Sequence, residues 1–390
     1  MVTVVVFFML TTLHLSRSTI ISFPSDYNPN VSPNDRGIIR CGFDIMDVSA
    51  VEDVHYTITI HLSTFVMWND SRLIINDTVL QDLSVKNRWY GLTPELVSRI
   101  WQPKLQIRNL RHELPTRANA KGQGESTLLT TEPNQRFYME KQAVVKISCA
   151  MDFSLFPFDR HSCPYVASMH LPIEELRMGP FLLDGNEIYF KAKTTTILEF
   201  ATSFMELGPA NQTEEMEFFT GFKIRSNIMG FKILLRRKFT SYLFNYHLPS
   251  GLFVIISWVA FVIPIEAIPG RVSVIFTTFL VLINIATSAF SNSPPSQGIN
   301  YIQIWIISCI GFVSVTILEY FGLLYYARYI KQVEGRNMGS LVYPEMYGPK
   351  KSRINFKEDH VDRACLVILP ILFLIFNCLY WFEAAFGRGQ

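Results

Sequence analysis

Small polar side chains recur at helical spacing within the apolar stretch 269–291. Their separations of 4, 3, 4, 3 and 4 residues place them on one face of a single helix. Copies of such a face around an axis can line a water-filled pore, but the face can equally be a packing seam between membrane helices. The members of this polar stripe are Ser273, Thr277, Leu280, Asn284, Thr287 and Ser291.

Four apolar stretches are long enough to cross a bilayer as helices. We predict spans over 243–264, 271–290, 301–326 and 364–383, so that the polar stripe belongs to the second span. The segment 327–363 between the last two spans is rich in Lys and Arg, which predicts a short cytoplasmic loop by the positive-inside rule.

An apolar run at the start of the chain predicts a secretory signal over residues 1–18. An extracellular domain then covers 19–240, and the first three helices lie within 241–326. The remaining region, 364–390, holds the fourth helix and an extracellular C-terminus. With the signal removed and four spans present, we expect both termini outside a plasma membrane.

Short alternating segments broken by Asn, Asp, Pro and Gly fill the region 19–240. This pattern predicts one extracellular all-β domain with an immunoglobulin-like sandwich fold. Glycosylation signals fit an exported domain, and we expect modification at three of them: Asn30, Asn76 and Asn211.

The composition excludes several functional classes. The 390 residues are 49% hydrophobic and carry a net charge of +2, so we expect no nucleic-acid partner. The eight histidines show no metal-ligand spacing, and no nucleophile motif is present, which argues against an enzyme, a metal or a cofactor. The chain has no inverted repeat of the kind that transporters show.

Cys149 and Cys163 enclose a Phe-Pro-x-Asp motif that runs from Phe156 to Asp159. This arrangement resembles the signature of the Cys-loop pentameric ligand-gated ion channels. The resemblance implies a disulfide between the two cysteines, and closing a loop of this length stabilises it by roughly 3 kcal/mol. A disulfide that only stabilises the sandwich remains an alternative at this point.

Further matches run in order along nearly the whole chain, and those in the spans are similar to the glycine- and GABA-gated branch. They imply a homo- or heteropentamer in the lipid bilayer, with five second spans around a path for permeant ions. The matching segments are Trp68-x-Asp70-x-Arg72-Leu73, Trp101-x-Pro103, Arg236 with Arg237, 242–261, Leu318-Glu319-Tyr320 and 373–381.

The resemblance assigns roles along the polar stripe. Leu280 falls where the family has a ring of leucines, and five apolar side chains on a narrow axis can gate by dewetting. Ser273 and Thr277 lie on its cytoplasmic side. Asn284 is unusual for the family, and we expect a ring of amides to keep the outer pore wet.

The turn before the stripe, Pro269-Gly270-Arg271, is similar to the Pro-Ala-Arg of the anion-selective branch. Gly270 stands where the cation-selective branch has a glutamate. The helix N-terminus and five Arg271 charges then predict a positive pore mouth and chloride selectivity. Cation selectivity is the alternative, because cation channels also carry a base here, pointing away from the axis, and Glu266 lies nearby.

The family holds an agonist amine in a box of aromatic side chains between subunits. Counting from the motifs places Ser63, Arg108 and His170 at box positions, and the hairpin before the first span adds Phe218 and Phe219. The first three are not aromatic, so we predict an anionic, zwitterionic or amphipathic ligand rather than a conventional amine. A salt bridge of Arg108 and a partly buried, satisfied His170 remain the simpler readings.

We expect the disulfide loop to act on the linker 292–300, which contains Pro294, and Asp159 to pair with Arg236 or Arg237. Ordinary charges beside lipid headgroups are the alternative reading. The leading hypothesis is a channel whose ligand, bound at subunit interfaces, shifts a two-state equilibrium. The second hypothesis is an accessory subunit that assembles but does not conduct alone.

Overall fold

The chain forms two compact units in the computed structural model, and each is described by itself. The first unit comprises residues 1–151 and 161–235, and the second comprises 152–160 and 236–390. The structure describes residues 20–33, 37–76, 89–114, 125–130, 137–169, 177–183, 186–192, 197, 199–207, 213–217, 223–264, 267–296, 298–338 and 353–386.

Strands make up most of the described part of the first unit. They are β1 Ile21–Ser22, β2 Ile38–Glu52, β3 Thr57–Trp68, β4 Ile74–Ile75, β5 Trp89–Gly91, β6 Leu105–Ile107, β7 Leu110–Leu114, β8 Glu125–Thr130, β9 Phe137–Ser148, β10 Arg160–Met169, β11 Arg177–Leu183, β12 Asn186–Ile188, β13 Phe190–Ala192, β14 Phe200–Glu206, β15 Thr213–Glu217 and β16 Lys223–Arg237. One large sheet has the order β12-β11-β2-β3-β9-β8-β5, with β13 beside β2 and β7 beside β9. The other has the order β14-β16-β10-β6, with β15 beside β16.

The two large sheets pack face to face through a shared aromatic core. Phe43 of the first sheet lies 5.3 Å from Tyr165 and 5.8 Å from Phe231 of the second, measured between ring centroids. Side chains alternate between the two faces of a strand, so one row of β3 and one row of β9 point into this core. The predicted all-β sandwich is confirmed.

Cys149 and Cys163 form the disulfide that the resemblance implied, with Cα atoms 5.1 Å apart. Cys41 is free and is fully buried in β2. Burial raises the pKa of its thiol to about 12, because a thiolate is poorly solvated in an apolar core. Cys41 is therefore an unreactive core residue at neutral pH.

Helices dominate the second unit. The second unit contains four long helices, whereas the short helix α1 Pro94–Arg99 belongs to the first unit. In the described residues these four are long and apolar enough to span a membrane. They are α2 Thr240–Phe261, α3 Ile268–Ser291, α4 Tyr301–Met338 and α5 Arg353–Phe386.

The segment predicted as a cytoplasmic loop, 327–363, is helical at both ends. α4 continues to Met338, and α5 begins at Arg353, ten residues before the expected loop end. Residues such as Ala, Lys, Gln and Glu are good helix formers, so a helix can continue beyond its apolar part. Residues 327–338 and 353–363 therefore belong to α4 and α5, and residues 339–352 lie outside the described part of the chain.

Candidate functional site

The polar stripe occupies an exposed face of α3. All six of its residues are exposed, and Leu280 retains 62% of its accessible surface. The stripe is therefore not a packing seam between helices of one chain, and it remains available to water or to other copies. The opposite face packs inside the unit through Ile275, Thr278, Leu282, Ala286 and Ala289.

Three hydroxyls of the stripe donate hydrogen bonds to carbonyl groups of their own helix. Thr277 Oγ1 donates to Ser273 O at 2.6 Å, and Thr287 Oγ1 donates to Ile283 O at 2.9 Å. Ser291 Oγ donates to Ser288 O at 3.0 Å. Because the backbone satisfies these protons, the face stays polar without a partner side chain.

Arg271 is fully buried, which corrects the expectation that it faces the ion path. It lies four residues before Ile275 and so belongs to the packed face of α3. Its Nη2 donates to Asp362 Oδ1 of α5 at 2.7 Å, and its Nε donates to the carbonyl of Ala260. Arg271 therefore forms an ion pair with a carboxylate of the same chain.

The remainder of the expected selectivity turn, Pro269 and Gly270, is exposed in the first turn of α3. A side chain added at Gly270 would meet no atom within 4 Å. The helix Ile268–Ser291 contains no Asp or Glu, and Glu266 lies outside the described residues. The exposed start of the helix thus carries no carboxylate.

The predicted coupling residues meet in the second unit. Arg237 Nε lies 2.9 Å from Asp159 Oδ1, and both side chains are 1% exposed. Arg236 is exposed, so Arg237 is the arginine that pairs with Asp159. The loop also accepts a backbone hydrogen bond, from Ile302 N of α4 to Phe156 O at 3.2 Å. Pro294 is buried in the linker between α3 and α4.

Two residues assigned to the agonist box lie in unexpected surroundings. Ser63 is fully buried in β3, between β2 and β9, and its Oγ has no hydrogen-bond partner within the described residues. A ligand at the surface cannot reach it, which corrects its assignment as a contact. Arg108 is half-buried; its Nε donates to Ser168 Oγ at 3.3 Å, and it lines a separate cavity of about 650 Å³.

An aromatic pocket of about 440 Å³ lies in the first unit, on the face of β3 that also carries Ser63. Tyr138 is at its centre, with ring-centroid distances of 5.1 Å to Trp89, 6.0 Å to Phe65 and 6.2 Å to Phe181. Burial and the Glu140 carboxylate raise the pKa of Tyr138, so its hydroxyl stays neutral. Among the described residues, the charged ones that line the pocket are Asp44, Glu140 and Lys191.

Counting from family motifs missed these aromatic residues. A signal existed in the sequence, since Phe65 follows Ser63 by two positions and so shares its face of the strand. Gly42 also belongs to this pocket: a Cβ there would lie 2.9 Å from Phe181 Cβ, so glycine leaves room for the ring.

Comparison with known proteins identifies the family. The model of the neurotransmitter-gated ion-channel ligand binding domain matches residues 17–239, more than half of the chain. The chain belongs to this family, the Cys-loop receptors. A glutamate-gated chloride channel from Drosophila melanogaster is 23% identical over 359 residues, which cover 87% of this chain and 68% of that protein.

The Cys149–Cys163 disulfide agrees with membership of the Cys-loop receptors. The receptor is a membrane protein of a family of pentameric ligand-gated channels, and these channels are not enzymes. Within the described residues, no three His, Cys, Asp or Glu side chains come close enough to hold a metal ion.

Several expected site residues of the receptor lie outside the described residues. They include the signal segment 1–18 and four single positions, His170, Asn211, Phe218 and Phe219. Of the other expected glycosylation sites, Asn30 and Asn76 are both exposed. Their modification remains a prediction.

Proposed function

We propose that this receptor forms an anion-selective channel that an extracellular amino acid opens, with the polar stripe of each α3 lining the pore. The observation that carries the proposal is the exposed face of α3, which combines hydroxyls, an amide and one leucine with no carboxylate. An exposed polar face on a membrane helix needs water or polar partners, because lipid offers none.

The gate of the proposed pore is the ring of five Leu280 side chains. Leu280 is the one apolar member of the stripe, and most of its surface is exposed. Five such side chains around an axis would exclude water from a narrow closed pore. Tilting of the helices would widen the ring and let it rehydrate.

Anion selectivity is supported by the exposed start of α3. Each helix presents its N-terminus there, which carries about half a positive charge from the aligned peptide dipoles. Because Arg271 is paired with Asp362, the positive potential that attracts anions comes from these helix N-termini. No carboxylate at position 270 opposes it, since that residue is glycine. The name of the Drosophila relative, a chloride channel, agrees with this selectivity.

The aromatic pocket supports an amino acid as the ligand class. Aromatic rings attract an ammonium group, and the Asp44 and Glu140 carboxylates strengthen that attraction. Lys191 lines the same pocket and could receive the carboxylate of a zwitterion. The aromatic pocket is therefore better suited to an ammonium group than the three residues counted from the motifs, Ser63, Arg108 and His170.

We place the receptor in the plasma membrane, with both termini outside, as a homo- or heteropentamer. The Arg-rich and Lys-rich segment between α4 and α5 supports a cytoplasmic loop. We further propose that the Asp159–Arg237 pair and Pro294 couple ligand binding to the pore, because the pair is buried within the second unit and Pro294 is buried in the linker between α3 and α4.

The test is voltage-clamp recording from oocytes that express this chain alone while a panel of amino acids is applied. We expect an evoked current whose half-maximal concentration rises roughly tenfold in Trp89→Ala, from the lost cation–π contact. Tyr90→Ala is the matched control, because Tyr90 neighbours Trp89 on the opposite face of β5 and does not line the pocket.

If the wild-type chain gives no current, the variant Leu280→Thr distinguishes a missing ligand from a chain that cannot conduct, because this variant should conduct without ligand. If the variant conducts and the wild type does not respond to any amino acid, the chain forms a channel but an amino acid is not its ligand. Silence of both, with each chain detected at the cell surface, would refute the channel and favour the accessory subunit.

A further inference from the structure

The cavity of about 650 Å³ in the first unit, which we call the sandwich cavity, has an apolar floor. The floor includes Leu62, Val145 and Tyr165, each at most 1% exposed. Small-molecule sites are typically cavities of this size range that are mostly apolar and carry a few polar groups. The sandwich cavity therefore has the dimensions and the kind of lining of a ligand site.

The cavity lies where the second sheet ends. The edge strand of that sheet, β6, has only three residues, which pair with Ala167 to Met169 of β10. A strand of that length covers about 10 Å, whereas a row of alternate residues on β9 that lines the cavity extends over about 20 Å. The members of this row are Met139, Lys141, Ala143 and Val145. Apolar atoms that border open space lack dispersion contacts, and an apolar ligand can supply them.

The charged groups at the cavity do not favour a charged ligand. Lys141 Nζ lies 3.0 Å from Glu113 Oε1, so these two side chains form an ion pair. Arg108 Nε donates to Ser168 Oγ at 3.3 Å, and Arg108 has further interactions. Lys104 is exposed, and water screens the charge of an exposed side chain. A charged ligand would therefore lose its hydration for little electrostatic gain.

Two hydroxyl groups provide a polar end for the site. Thr64 of β3 and Tyr165 of β10 both line the cavity, and their side chains are close enough to interact. Leu62 and Val66, the neighbours of Thr64 in the same row of β3, are fully buried, whereas Thr64 is half-buried. Because a hydroxyl can both donate and accept a hydrogen bond, this pair suits an uncharged hydroxyl of a ligand.

We propose that the sandwich cavity binds a neutral amphiphile of the medium-chain alkanol class. Its alkyl chain lies on the apolar floor, and its hydroxyl lies at Thr64 and Tyr165. Each further methylene that the floor buries tightens binding roughly fourfold. The site lies within one subunit, so it depends neither on the proposed amino-acid ligand nor on channel activity.

The test is photolabelling of the full chain in lipid nanodiscs with a diazirine analogue of octanol. Mass spectrometry assigns the label to individual residues, so probe dissolved in the lipid does not obscure the result. We expect saturable labelling of residues that line the cavity. Unlabelled octanol should protect them at concentrations at least tenfold lower than octanoate or octylammonium, because both of these carry a charge.

Two variants address the two halves of the site. Thr64→Val keeps the shape of the side chain but removes its hydroxyl, and it should raise the protecting concentration of octanol several-fold. Ala143→Leu narrows the cavity and should reduce labelling there at least tenfold. Thr59→Val is the matched control, because Thr59 lies on the opposite face of the same strand and should not affect labelling.

Three outcomes would overturn the proposal: no saturable labelling of the cavity, equal protection by octanol and octanoate, or a loss in Thr59→Val that matches the loss in Thr64→Val. If Ala143→Leu fails to fold, Thr64→Val still decides, since it conserves the volume of a half-buried side chain. Because labelling needs no current, a failure of this proposal is distinguishable from a failure of the proposed channel.

Discussion

Arg271 at the start of α3 and Asp362 in α5 form a buried ion pair, with Arg271 Nη2 2.7 Å from Asp362 Oδ1. The pair joins the proposed pore helix to the last helix of the same chain. It also buries the arginine away from the exposed stripe that we propose lines the pore, although the sequence motif containing Arg271 resembles that of anion channels.

Breaking the buried pair should destabilise the protein. Asp362→Asn leaves the guanidinium without its carboxylate, and we expect the free energy of unfolding to fall by about 3 kcal/mol. The measurement is thermal unfolding of the purified protein in detergent. Arg271→Gln with Asp362→Asn should recover most of the loss, and Arg363→Gln, at an exposed neighbouring position, should change little. A double variant less stable than Asp362→Asn alone would show that the pair is not the cause.

A carboxylate at the exposed start of α3 should reverse the selectivity. Gly270→Glu places five acidic side chains at the pore mouth, and the open space around Gly270 can accept them. We expect the reversal potential to follow sodium instead of chloride, and Gly270→Gln, of nearly equal size, to remain chloride-selective. If Gly270→Glu remains chloride-selective, the residues that determine ion selectivity lie elsewhere in the chain.

Leu280 and Leu282 offer a matched test of the proposed gate. Leu280 is 62% exposed, whereas Leu282 is fully buried two residues later on the same helix. Leu280→Thr should ease opening, with spontaneous current and a half-maximal ligand concentration roughly tenfold lower, about 1.4 kcal/mol. Leu282→Thr buries a hydroxyl in the helical core and should reduce surface expression instead. Easier opening in both variants would argue against a gate at Leu280.

The buried Asp159–Arg237 pair should be required for coupling. Asp159→Asn leaves Arg237 buried without its carboxylate, and we expect a several-fold higher half-maximal ligand concentration at normal ligand binding. Exchanging the charges, with Asp159→Arg and Arg237→Asp, should restore part of the response. Arg236→Gln removes an exposed arginine next in sequence and should behave as the wild type. If Arg236→Gln is as impaired as Asp159→Asn, the buried pair has no special role.

Features set by local spacing could be predicted from the sequence. The stripe of α3 and the four spans each depend on residues close together in the chain, and so does the alternation that indicated a sandwich, whereas the disulfide was implied by the family resemblance. Helical periodicity alone predicted that the stripe residues share one face of α3, since residues three and four apart lie on the same side, but it did not predict that this face is exposed.

Features set by distant partners could not be predicted in this way. Arg271 is buried because Asp362, 91 positions later, accepts its hydrogen bond. The aromatic pocket gathers Phe65, Trp89, Tyr138 and Phe181 from separate strands, and no spacing rule connects them. Lys141 occurs in a strand pattern as one polar residue in an apolar row, and its ion-pair partner, Glu113 of β7, cannot be inferred from that pattern.

The most direct measurement is the reversal potential of the wild-type current when external chloride is replaced by a large organic anion. For an anion-selective pore, a tenfold reduction in external chloride should move the reversal potential by about 59 mV in the positive direction. A reversal potential that ignores chloride and follows external sodium would contradict anion selectivity.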